Sequence, residues 1–330
     1  MQLSILIPVY NVAAYLPDLL QDLLPKLPLN TEVIFYDDAS PDNSIAIIEE
    51  FLLSYPCVQI RILRGNENIG LTRAREQLLR ASNANYIWFV DSDDKVDSAV
   101  LAEILLSLSQ NQPDVLVFDY DVFYDGSNQL KHHETLSFYP KNTLVQTSGK
   151  KIYRTAILDG RHYFWNKIFR RELIIDIVSY DIPAYEDIAY TPVLLSKCQS
   201  FYYLARVVVH YRIRKDSIAQ KLGLQQVYGL KAYIQQALYA DKVVGDKKSQ
   251  AYLLYKACIY YYRLISKINK VEMSQVDRKK YIELLTKFYT EKPISEWKII
   301  LLLCKVRMYG KAVKLMYKSF NSKAFYTRDK

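Results

Sequence analysis

The fold of this chain is decided by one stretch of sequence, Tyr86-Ile-Trp-Phe-Val-Asp91-Ser-Asp93-Asp94. Its first five residues favour β-strands and are apolar on both faces, which is typical of a strand covered on both sides in a parallel sheet. Three carboxylates follow within four residues, at the end of the strand where parallel sheets bind ligands. They repel one another unless a cation or hydrogen-bond donors neutralise them. The stretch therefore predicts either a site for a hard divalent ion or an acidic turn that caps the next helix.

Strand-like and helix-like segments alternate around this stretch. Strands are predicted at Leu3–Val9, Glu32–Tyr36, Val58–Leu63, Tyr86–Val90 and Val115–Phe118. Helices are predicted at Tyr15–Leu24, Ser44–Ser54, Leu71–Ser82 and Ser98–Gln110. This alternation implies βαβ units, so the predicted fold class is α/β, with a Rossmann-like, doubly wound, mostly parallel sheet.

The rest of the chain differs from this alternation. Residues 119–151 are polar and predict a β-hairpin or a loop over a site. From Leu224 onwards the pattern is that of a C-terminal helical region, with breaks expected at Asp241–Lys248 and at Glu291-Lys-Pro293. The predicted boundaries enclose a first half at 1–112, a second half at 113–220 and a helical region at 221–330.

The composition excludes several classes of protein. Half of the 330 residues are apolar and 24% are charged, as in an ordinary folded protein. No apolar run reaches the roughly 18 residues that span a bilayer, and the N-terminus predicts no signal peptide because it lacks a basic flank and a cleavage site. The cysteines are far apart and predict reduced, mostly buried thiols of a cytosolic protein: Cys57, Cys198, Cys258 and Cys304.

The formal net charge of +9 is concentrated at the C-terminus. From Trp297 to Lys330 there are nine Lys or Arg residues and one Asp, a net of +8, which leaves about +1 for residues 1–296. A nearly neutral body with one basic tail does not predict a nucleic-acid-binding protein.

Polar motifs follow four of the predicted strands. They are Pro8-Val-Tyr10-Asn11, Asp37-Asp38-Ala-Ser40, Asn66-Glu-Asn68-Ile-Gly70 with Arg73 and Arg75 after it, and Asp91-Ser-Asp93-Asp94. The chain has neither the GxGxxG motif of dinucleotide-binding enzymes nor the GxxxxGK[ST] motif of P-loop NTPases. A nucleotide diphosphate at these strand ends would therefore be held by a metal and Arg75 instead of a glycine loop.

These motifs, in this order and spacing, resemble those of the inverting glycosyltransferases of family 2, of bacterial surface-polysaccharide type. The resemblance covers roughly residues 3–215 and implies the GT-A fold, with a nucleotide-sugar half at 1–112 and an acceptor and catalytic-base half at 113–220. It implies that the nucleotide of a UDP-sugar is bound by residues of these motifs, with Tyr10 and Asp38 at the uracil: Pro8, Tyr10, Asn11, Asp37, Asp38, Asn68, Arg75, Asp91 and Ser92. For Asp37 the alternative is that it only braces its loop, and for Arg75 that it is an exposed charge on a helix.

The resemblance also implies a divalent cation, Mn²⁺ or Mg²⁺, bound by Asp93 and shared with the donor diphosphate. Asp91 and His210 are the further candidate ligands, although a lone His on a strand is more often structural. Asp94 is expected to cap the next helix. The other histidines, His132, His133 and His162, show no ligand spacing. One departure from the family pattern is Glu76, where the family usually has Asn.

The second half of the resemblance supplies the acceptor side and the catalytic base. The segment Trp165-Asn166-Lys167 resembles one that lines the acceptor side of the family's site, and Glu186-Asp187 resembles the pair whose Asp is the base. Arg212 is a further candidate contact for the acceptor or the diphosphate, with placement on the surface as the alternative. The plain alternative for Glu186-Asp187 is the acidic first turn of a helix. Pro192 lies five residues further on, which predicts that this helix begins later and leaves Asp187 on a loop.

The C-terminal tail, 296–330, combines apolar and aromatic residues with lysines. Such a segment suits the surface of an anionic membrane, whereas the alternative is a docked helix with a solvated charged face. A break is expected at Gly310. The resemblance then implies a cytoplasmic enzyme at the inner face of the plasma membrane.

The predicted function is metal-dependent transfer, with inversion to a β-linkage, from a UDP-sugar to a growing glycan or lipid-linked glycan of lipopolysaccharide, capsule or exopolysaccharide. Two alternatives stay open. One is a non-catalytic protein of the same fold that binds sugar nucleotides or glycans for assembly. The other is a nucleotidyltransferase, although its usual N-terminal glycine-rich loop is missing here.

Overall fold

The computed structural model describes residues 1–55, 59–126, 129–136, 140–175, 182–214 and 222–326, with side chains up to residue 320. It divides into two compact units. The first comprises Met1–Gly149, Tyr163–Asp181 and Lys197–Lys215, and the second comprises Lys150–His162, Ile182–Ser196 and Asp216–Lys330. The boundaries predicted at residues 112 and 220 stay predictions.

The first unit is built on a ten-stranded sheet. Its strands in chain order are β1 (Leu3–Val9), β2 (Thr31–Asp37), β3 (Ile60–Arg64), β4 (Tyr86–Phe89), β5 (Lys95–Val96), β6 (Val115–Tyr124), β7 (Leu130–Glu134), β8 (Leu144–Gln146), β9 (Lys167–Arg170) and β10 (Ser200–Ile213). The main path runs β3-β2-β1-β4-β9-β6-β10-β5, with β7 on β6 and β8 on β10.

Six of these strands point the same way. β1 pairs in parallel with β2 and β4, and β2 with β3. The short strand β9 is antiparallel to both β4 and β6, so β6 runs in the direction of β4, and β10 is parallel to β6. The mostly parallel α/β sheet expected from the alternation of elements is therefore confirmed.

The helices in chain order are α1 (Leu16–Leu23), α2 (Ser44–Leu53), α3 (Leu71–Ala81), α4 (Leu101–Asn111), α5 (Gly149–Asp159), α6 (Arg171–Ile174), α7 (Glu186–Lys197), α8 (Gln225–Lys242), α9 (Lys247–Ile268), α10 (Gln275–Thr290), α11 (Glu296–Lys305) and α12 (Tyr309–Tyr326). Short 3₁₀ turns adjoin α1 and α4, at Leu24–Lys26 and Ser98–Val100. In the described residues, no helix is long and apolar enough to cross a bilayer.

Complete burial explains why the central strands are apolar on both faces. All seven residues of β1 and all four of β4 are buried, and the indole of Trp88 meets Phe118 edge to face with ring centroids 5.5 Å apart. Alternation of polar and apolar residues is expected only where one face of a sheet meets water. The core of the first unit therefore lies on both sides of β1 and β4.

The second unit is helical. Its core lies where α8 and α9 pack together, and Gly229 of α8 makes a close approach possible there. A Cβ atom at Gly229 would lie 2.8 Å from the hydroxyl of Tyr260, which donates to the Gln226 carbonyl at 2.9 Å. The breaks predicted near 241–248 and 291–293 are confirmed, because α8 ends at Lys242 and α10 ends at Thr290.

Several details differ from the expectations. β6 continues to Tyr124, well beyond the predicted end at Phe118, and forms the hairpin with β7 that was one of two options for 119–151. The break in the basic tail lies at 306–308, before Gly310, where Arg307 adopts a left-handed φ of 63°. Cys198 and Cys258 are buried free thiols and Cys304 is a half-buried one, whereas Cys57 lies outside the described residues.

Candidate active site

The carboxyl ends of β1, β2 and β4 lie side by side in the first unit, because β1 pairs with both of the other strands. Three of the predicted motifs begin there. Tyr10-Asn11 follows β1, Asp37-Asp38 closes β2, and Asp91 to Asp94 follow β4. The parallel register therefore gathers residues that are about 80 positions apart in sequence at one edge of the sheet.

Hydrogen bonds join the loop after β1 to the loop after β2, and each loop contains a residue with a left-handed backbone conformation. Asn11 and Ala39 both have left-handed backbone angles, with φ of 54° and 56°. This conformation is uncommon for a residue with a Cβ, and more so for Ala than for Asn. The Asp38 amide donates to the Val9 carbonyl at 2.9 Å, and the Ser40 hydroxyl lies 3.4 Å from the Asn11 amide, which donates to it. Strained loops held in this way are typical of ligand sites.

Asp38 joins the second loop to the third. Its two carboxylate oxygens accept hydrogen bonds from the amides of Ile69 and Gly70 at 2.7 and 2.9 Å, and the residue is only 3% exposed. Burial raises the pKa of Asp38 above its usual value, although the two amide donors act in the opposite direction. Each oxygen keeps a second lone pair with which it can accept a further donor.

Asp37 accepts a hydrogen bond from the Ser40 amide at 2.9 Å. This is the bracing contact that was the alternative to a role in binding. The other predicted nucleotide contacts lie around the same edge: Tyr10, Asn11 and Asn68 are exposed, while Pro8 and Ser92 are buried.

Arg75 is buried beside the acidic turn. Its guanidinium Nη2 donates to Asp91 Oδ1 at 2.7 Å, and the side chain is only 8% exposed. The guanidinium carbon lies 5.8 Å from the ring centroid of Phe89 and 5.4 Å from that of Phe164. Two aromatic rings and a carboxylate therefore hold one cation in place, and the alternative of an exposed charge on α3 is wrong.

Asp93 and Asp94 face two further arginines, Arg212 of β10 and Arg214 just after it. Arg214 Nε lies 2.7 Å from Asp93 Oδ2. The Arg212 amide donates to Asp94 Oδ1 at 2.8 Å, and its guanidinium Nε donates to the Asp93 carbonyl at 2.8 Å. The acidic turn is thus held by Arg75 of α3 and by Arg212 and Arg214.

Arg212 also reaches two carboxylates on other elements. Its guanidinium donates to Asp18 of α1 at 2.6 Å and to Asp125, just after β6, at 3.1 Å. It lies over the rings of Tyr15 and Phe123, at 5.2 and 4.9 Å from their centroids. The side chain is 7% exposed, so the alternative of placement on the surface is wrong. We call Arg212 and its two carboxylate partners, Asp18 and Asp125, the hub.

Asp94 does not cap the next helix as expected. It is 1% exposed and turned inward to the Arg212 amide, while the cap of Ser98–Val100 is Asp97, which accepts from the Ala99 amide at 3.0 Å. Burial, with Asp93 and Asp91 as like-charged neighbours, raises the pKa of Asp94 well above its usual value. Burial likewise raises the pKa of Asp93, although Arg214 lowers it.

The donor set at this turn fits a hard divalent cation only in part. Oxygen ligands are present, and Asp94 Oδ2 is buried with no hydrogen-bond partner among the described residues. In the described part of the chain, however, no three His, Cys, Asp or Glu side chains are grouped so that they could hold a metal. A cation at Asp93 would therefore take most of its ligands from a bound diphosphate and water.

His210 lies on β10, in the register position opposite Lys95 of β5. Its Nδ1 is 3.3 Å from Asp121 Oδ2, and the other oxygen of Asp121 is 2.7 Å from His133 Nδ1. In the structure, His210 is thus joined to a carboxylate of β6 outside the acidic turn.

The predicted acceptor-side residues are buried in the first unit. Trp165 is stacked between Tyr163 and Tyr211, with ring centroids 4.8 and 5.4 Å away, and its carbonyl accepts from the indole of Trp88 at 2.7 Å. Lys167 donates to the Asn166 side-chain oxygen at 2.6 Å. Asn166 is fully buried and its Nδ2 has no hydrogen-bond partner in the described residues.

Glu186 and Asp187 belong to the second unit and begin α7. The expectation that the helix starts later is wrong, because Pro192 lies inside it. A proline costs one helical hydrogen bond, and the buried face of α7 on either side of it outweighs that loss. Asp187 is half-buried and its Oδ1 accepts from the Ile188 amide at 2.8 Å. Tyr185 just before has a φ of 64°, a strained conformation for an aromatic residue.

Sequence reasoning missed Asp18 and Asp125. They complete the hub around Arg212, but Asp18 is 194 positions away from it and lies on an ordinary amphipathic helix. No local signal distinguishes it from a surface acid.

The sequence of this chain is similar to those of known proteins. The family described as "Glycosyl transferase family 2" matches residues 4–177. "Glycosyltransferase GlyA" of Streptococcus pneumoniae is 26% identical over 226 residues, which is 66% of this chain and 32% of that protein. "Processive diacylglycerol beta-glycosyltransferase" of Mycoplasma pneumoniae is 24% identical over 250 residues, 73% of this chain and 72% of that protein. The chain thus spans about a third of the first relative and almost three quarters of the second.

Solved structures share the fold. The crystal structure of S. aureus TarS 1–349 in complex with UDP has a TM-score of 0.65 at 18% identity, over 100% of this chain and 92% of that one. A complex of the same protein with UDP-GlcNAc also has a TM-score of 0.65, at 18% identity over 98% and 92%. The mannosyltransferase PcManGT from Pyrobaculum calidifontis, in complex with GDP-Man and Mn²⁺, has a TM-score of 0.53 at 12% identity over 97% and 86%. The GT-A fold expected from the motifs is confirmed.

Proposed function

This chain belongs to glycosyl transferase family 2, and from that membership we propose that it transfers one sugar from a UDP-sugar to a growing cell-surface glycan. The glycan would be lipopolysaccharide, capsule or exopolysaccharide, either free or on a lipid carrier. The observation that carries the proposal is the pairing of Arg75 with Asp91 and of Arg214 with Asp93 at the carboxyl ends of parallel strands. A site with this alternation of charges suits a sugar nucleotide, which has both hydroxyl groups and phosphates.

The donor would lie across the three adjoining loops. Tyr10 is exposed and offers a ring on which a uracil can stack, and Asp38 would accept the ring N–H with its free lone pairs. Asp91 would bind ribose hydroxyls, and Arg75 would stabilise the diphosphate. Pro8, Asn11, Asp37, Asn68 and Ser92 would shape the pocket around the nucleoside. TarS, which has the same fold, has been solved with UDP and with UDP-GlcNAc, and that supports UDP as the nucleotide.

The reaction needs a base for the acceptor hydroxyl, and we assign that role to Asp187. Its carboxylate would take the hydroxyl proton while the acceptor oxygen forms a bond to the anomeric carbon. The bond from that carbon to the diphosphate oxygen breaks with its electron pair, and UDP leaves. A single displacement of this kind inverts the anomeric centre, so an α-linked donor gives a β-linked product.

Two further groups would serve this displacement. Asp93 would hold a divalent cation, Mn²⁺ or Mg²⁺, together with the diphosphate. The cation would neutralise the negative charge that develops on the leaving diphosphate. Asp91 and His210 are the further candidate ligands. Trp165, Asn166, Lys167, Glu186 and Arg212, all of which are buried, would support the acceptor side or the diphosphate.

The acceptor points to a location. A glycan that grows on a lipid carrier has to be reached at a membrane, so we place the protein in the cytoplasm, in peripheral contact with the inner face of the plasma membrane through 296–330. The name of the mycoplasma relative, a diacylglycerol β-glycosyltransferase, supports an acceptor of this kind.

Calorimetric titration of the purified chain with UDP, GDP and CMP, with and without Mn²⁺, tests the donor site. We expect UDP alone to bind, and to bind more tightly with Mn²⁺. A panel of UDP-sugars then identifies the donor, since an accepted donor is hydrolysed slowly without acceptor. A well-folded sample that binds none of the three nucleotides would overturn the proposal and favour the non-catalytic alternative.

A further inference from the structure

Within the described part of the chain, each of the last two helices, α11 and α12, has one apolar side that is buried and another that is exposed. On the covered side, Ile299 and Leu303 of α11 and Ala312 and Leu315 of α12 are buried. The two helices pack against each other and against α9, all within the second unit. Burial on this side is enough to hold both helices in place, so the opposite side needs another explanation.

The uncovered side is a row of large apolar side chains at helical spacing. Tyr309, Val313, Met316, Tyr317 and Phe320 recur at three- or four-residue intervals along α12 and form what we call the apolar stripe. Each is between 48% and 78% exposed. Trp297 and Leu301 are likewise exposed, one turn apart on α11. Single exposed apolar residues are ordinary, whereas a continuous row of aromatic and aliphatic side chains marks an interaction surface.

Four cations of α9 and α12 form what we call the basic cluster. Lys311 and Lys314 of α12 and Arg263 of α9 all lie near enough to Lys256 of α9 to act on its charge. None of them forms an ion pair with a carboxylate in the described part of the chain, and Lys311 instead lies over the ring of Tyr252, 5.3 Å from its centroid. Burial and the three neighbouring cations lower the pKa of Lys256, which is the sign of a local excess of positive charge.

We propose that the apolar stripe and the basic cluster form one docking surface for an anionic phospholipid membrane. Aromatic and aliphatic side chains would enter the boundary between headgroups and acyl chains, while the lysines would bind the lipid phosphates. The aromatic residues of the stripe, Tyr309, Tyr317 and Phe320, with Trp297 beside them, are of the kind that favours this boundary.

Charge decides between this partner and the alternatives. A second copy of the chain, joined by a two-fold axis through the same surface, would bring one basic cluster near the other, and like charges destabilise such a contact. A nucleic acid would satisfy the cations but would leave the apolar stripe in water. An anionic bilayer complements both parts of the surface.

The inference deepens the proposed function and rests on it for its purpose, because a lipid-linked acceptor has to be met at a bilayer. The binding itself can be measured without any glycosyl transfer. A chain that binds anionic vesicles but no nucleotide would contradict the proposed function alone, and a chain that binds UDP but no vesicles would contradict only the docking surface.

The test is co-sedimentation of the full chain with phosphatidylcholine vesicles, with and without phosphatidylglycerol. We expect binding only to the vesicles that contain phosphatidylglycerol, and weaker binding at high salt. Two variants divide the surface: Val313→Ser with Tyr317→Ser and Phe320→Ser removes the stripe, and Lys311→Glu with Lys314→Glu reverses the charge of the cluster. The lysine variant should weaken binding at least about tenfold, since each lysine near an anionic surface contributes about 1 kcal/mol. The stripe variant should weaken binding at least about tenfold as well, because it removes apolar side chains that would enter the membrane.

The matched control lies on α10, in the same unit. Val276→Ser with Lys280→Glu changes one exposed apolar residue and one exposed cation of that helix, and should bind vesicles like the wild type. UDP titration and thermal melting check that every variant is folded. Failure of the wild type to bind, or undiminished binding by both variants, would overturn the proposal. So would a dimer, seen by sedimentation velocity, that the stripe variant dissociates, because a second copy would then cover this face.

Discussion

Arg75 Nη2 lies 2.7 Å from Asp91 Oδ1, beside the rings of Phe89 and Phe164 and almost out of contact with water. A carboxylate and a guanidinium in direct contact form a charge-assisted hydrogen bond. The pair therefore presents a fixed dipole at the carboxyl end of β4, where hydroxyls can donate to the carboxylate and phosphates can accept from the cation. This relationship joins the strand that decides the fold to the helix before it.

Arg75→Lys tests whether that guanidinium contributes to donor binding. A lysine keeps the charge but lacks the planar group that contacts both rings and Asp91, so it cannot hold these contacts at once. A hydrogen bond to a charged group contributes about 1.5–3 kcal/mol, which predicts UDP affinity about 10- to 100-fold weaker in calorimetric titration. The matched control is Arg73→Lys on the exposed side of α3, which should leave UDP binding unchanged. Equal effects of the two variants would contradict the assignment.

Asp187→Asn tests the proposed base. The amide oxygen can still accept from the Ile188 amide, so α7 should keep its first turn. It cannot take a proton, and loss of a general base typically costs 10²–10⁴-fold in rate, so we expect transfer to fall about 10³-fold while UDP binding stays the same. Product formation from the preferred UDP-sugar measures the first and calorimetry the second.

The control for this variant is Glu272→Gln, at an exposed position between α9 and α10 of the same unit, which should transfer at the wild-type rate. Transfer that survives in Asp187→Asn would contradict the assignment of Asp187 as the base. Loss of both transfer and UDP binding would indicate that Asp187 has a structural role.

The buried Asp94 predicts a pH dependence of stability. Its pKa is raised in the folded chain, so the folded state takes up a proton at a higher pH than the unfolded state does. The stability that this group contributes is present at low pH and is lost as the pH rises through its folded pKa. Asp94→Asn removes the charge and keeps an oxygen for the Arg212 amide.

We therefore expect Asp94→Asn to melt a few degrees higher than the wild type at pH 7, since a gain of 1 kcal/mol is worth about 2–4 °C in a protein of this class. The difference should shrink as the pH falls towards the usual carboxyl pKa, where the wild-type group is itself protonated. Thermal melts from pH 4 to 8, in steps of about one unit, measure it. A difference that stays constant with pH would show that Asp94 is not the titrating group.

Patterns that recur within ten or twenty residues were enough to predict β1 to β4, β6 and α1 to α4 of the first unit. The apolar faces of β4 indicated a central strand, and the acidic turn after it indicated the site edge. The same reasoning failed for Asp94, because an acid before a helix usually caps it. Here the amide of Arg212, 118 positions away, is the donor that holds it inside.

Long-range contacts explain the other failures too. Pro192 indicated a helix boundary because local rules count the lost hydrogen bond, and they do not count the burial of α7 on either side of it. The hub around Arg212 combines residues from α1, β10 and the end of β6. Such a set can be found only when the sheet order is known, since nothing near Asp18 distinguishes it.

Arg212→Met tests whether that hub holds the acidic turn in place. Methionine fills the space beside Tyr15 and Phe123, but the Asp93 carbonyl loses its donor, Asp125 loses its cation and Asp18 is left with Lys95, 3.2 Å away. Loss of one partner of a buried ion pair costs about 3–5 kcal/mol. Both acids are more than one-third exposed, so we expect about 1–3 kcal/mol less stability in urea unfolding and weaker UDP binding.

The control is Arg206→Met, on the same strand and with an exposed partner, which should cost less than about 1 kcal/mol of stability. Wild-type stability in Arg212→Met would refute the hub.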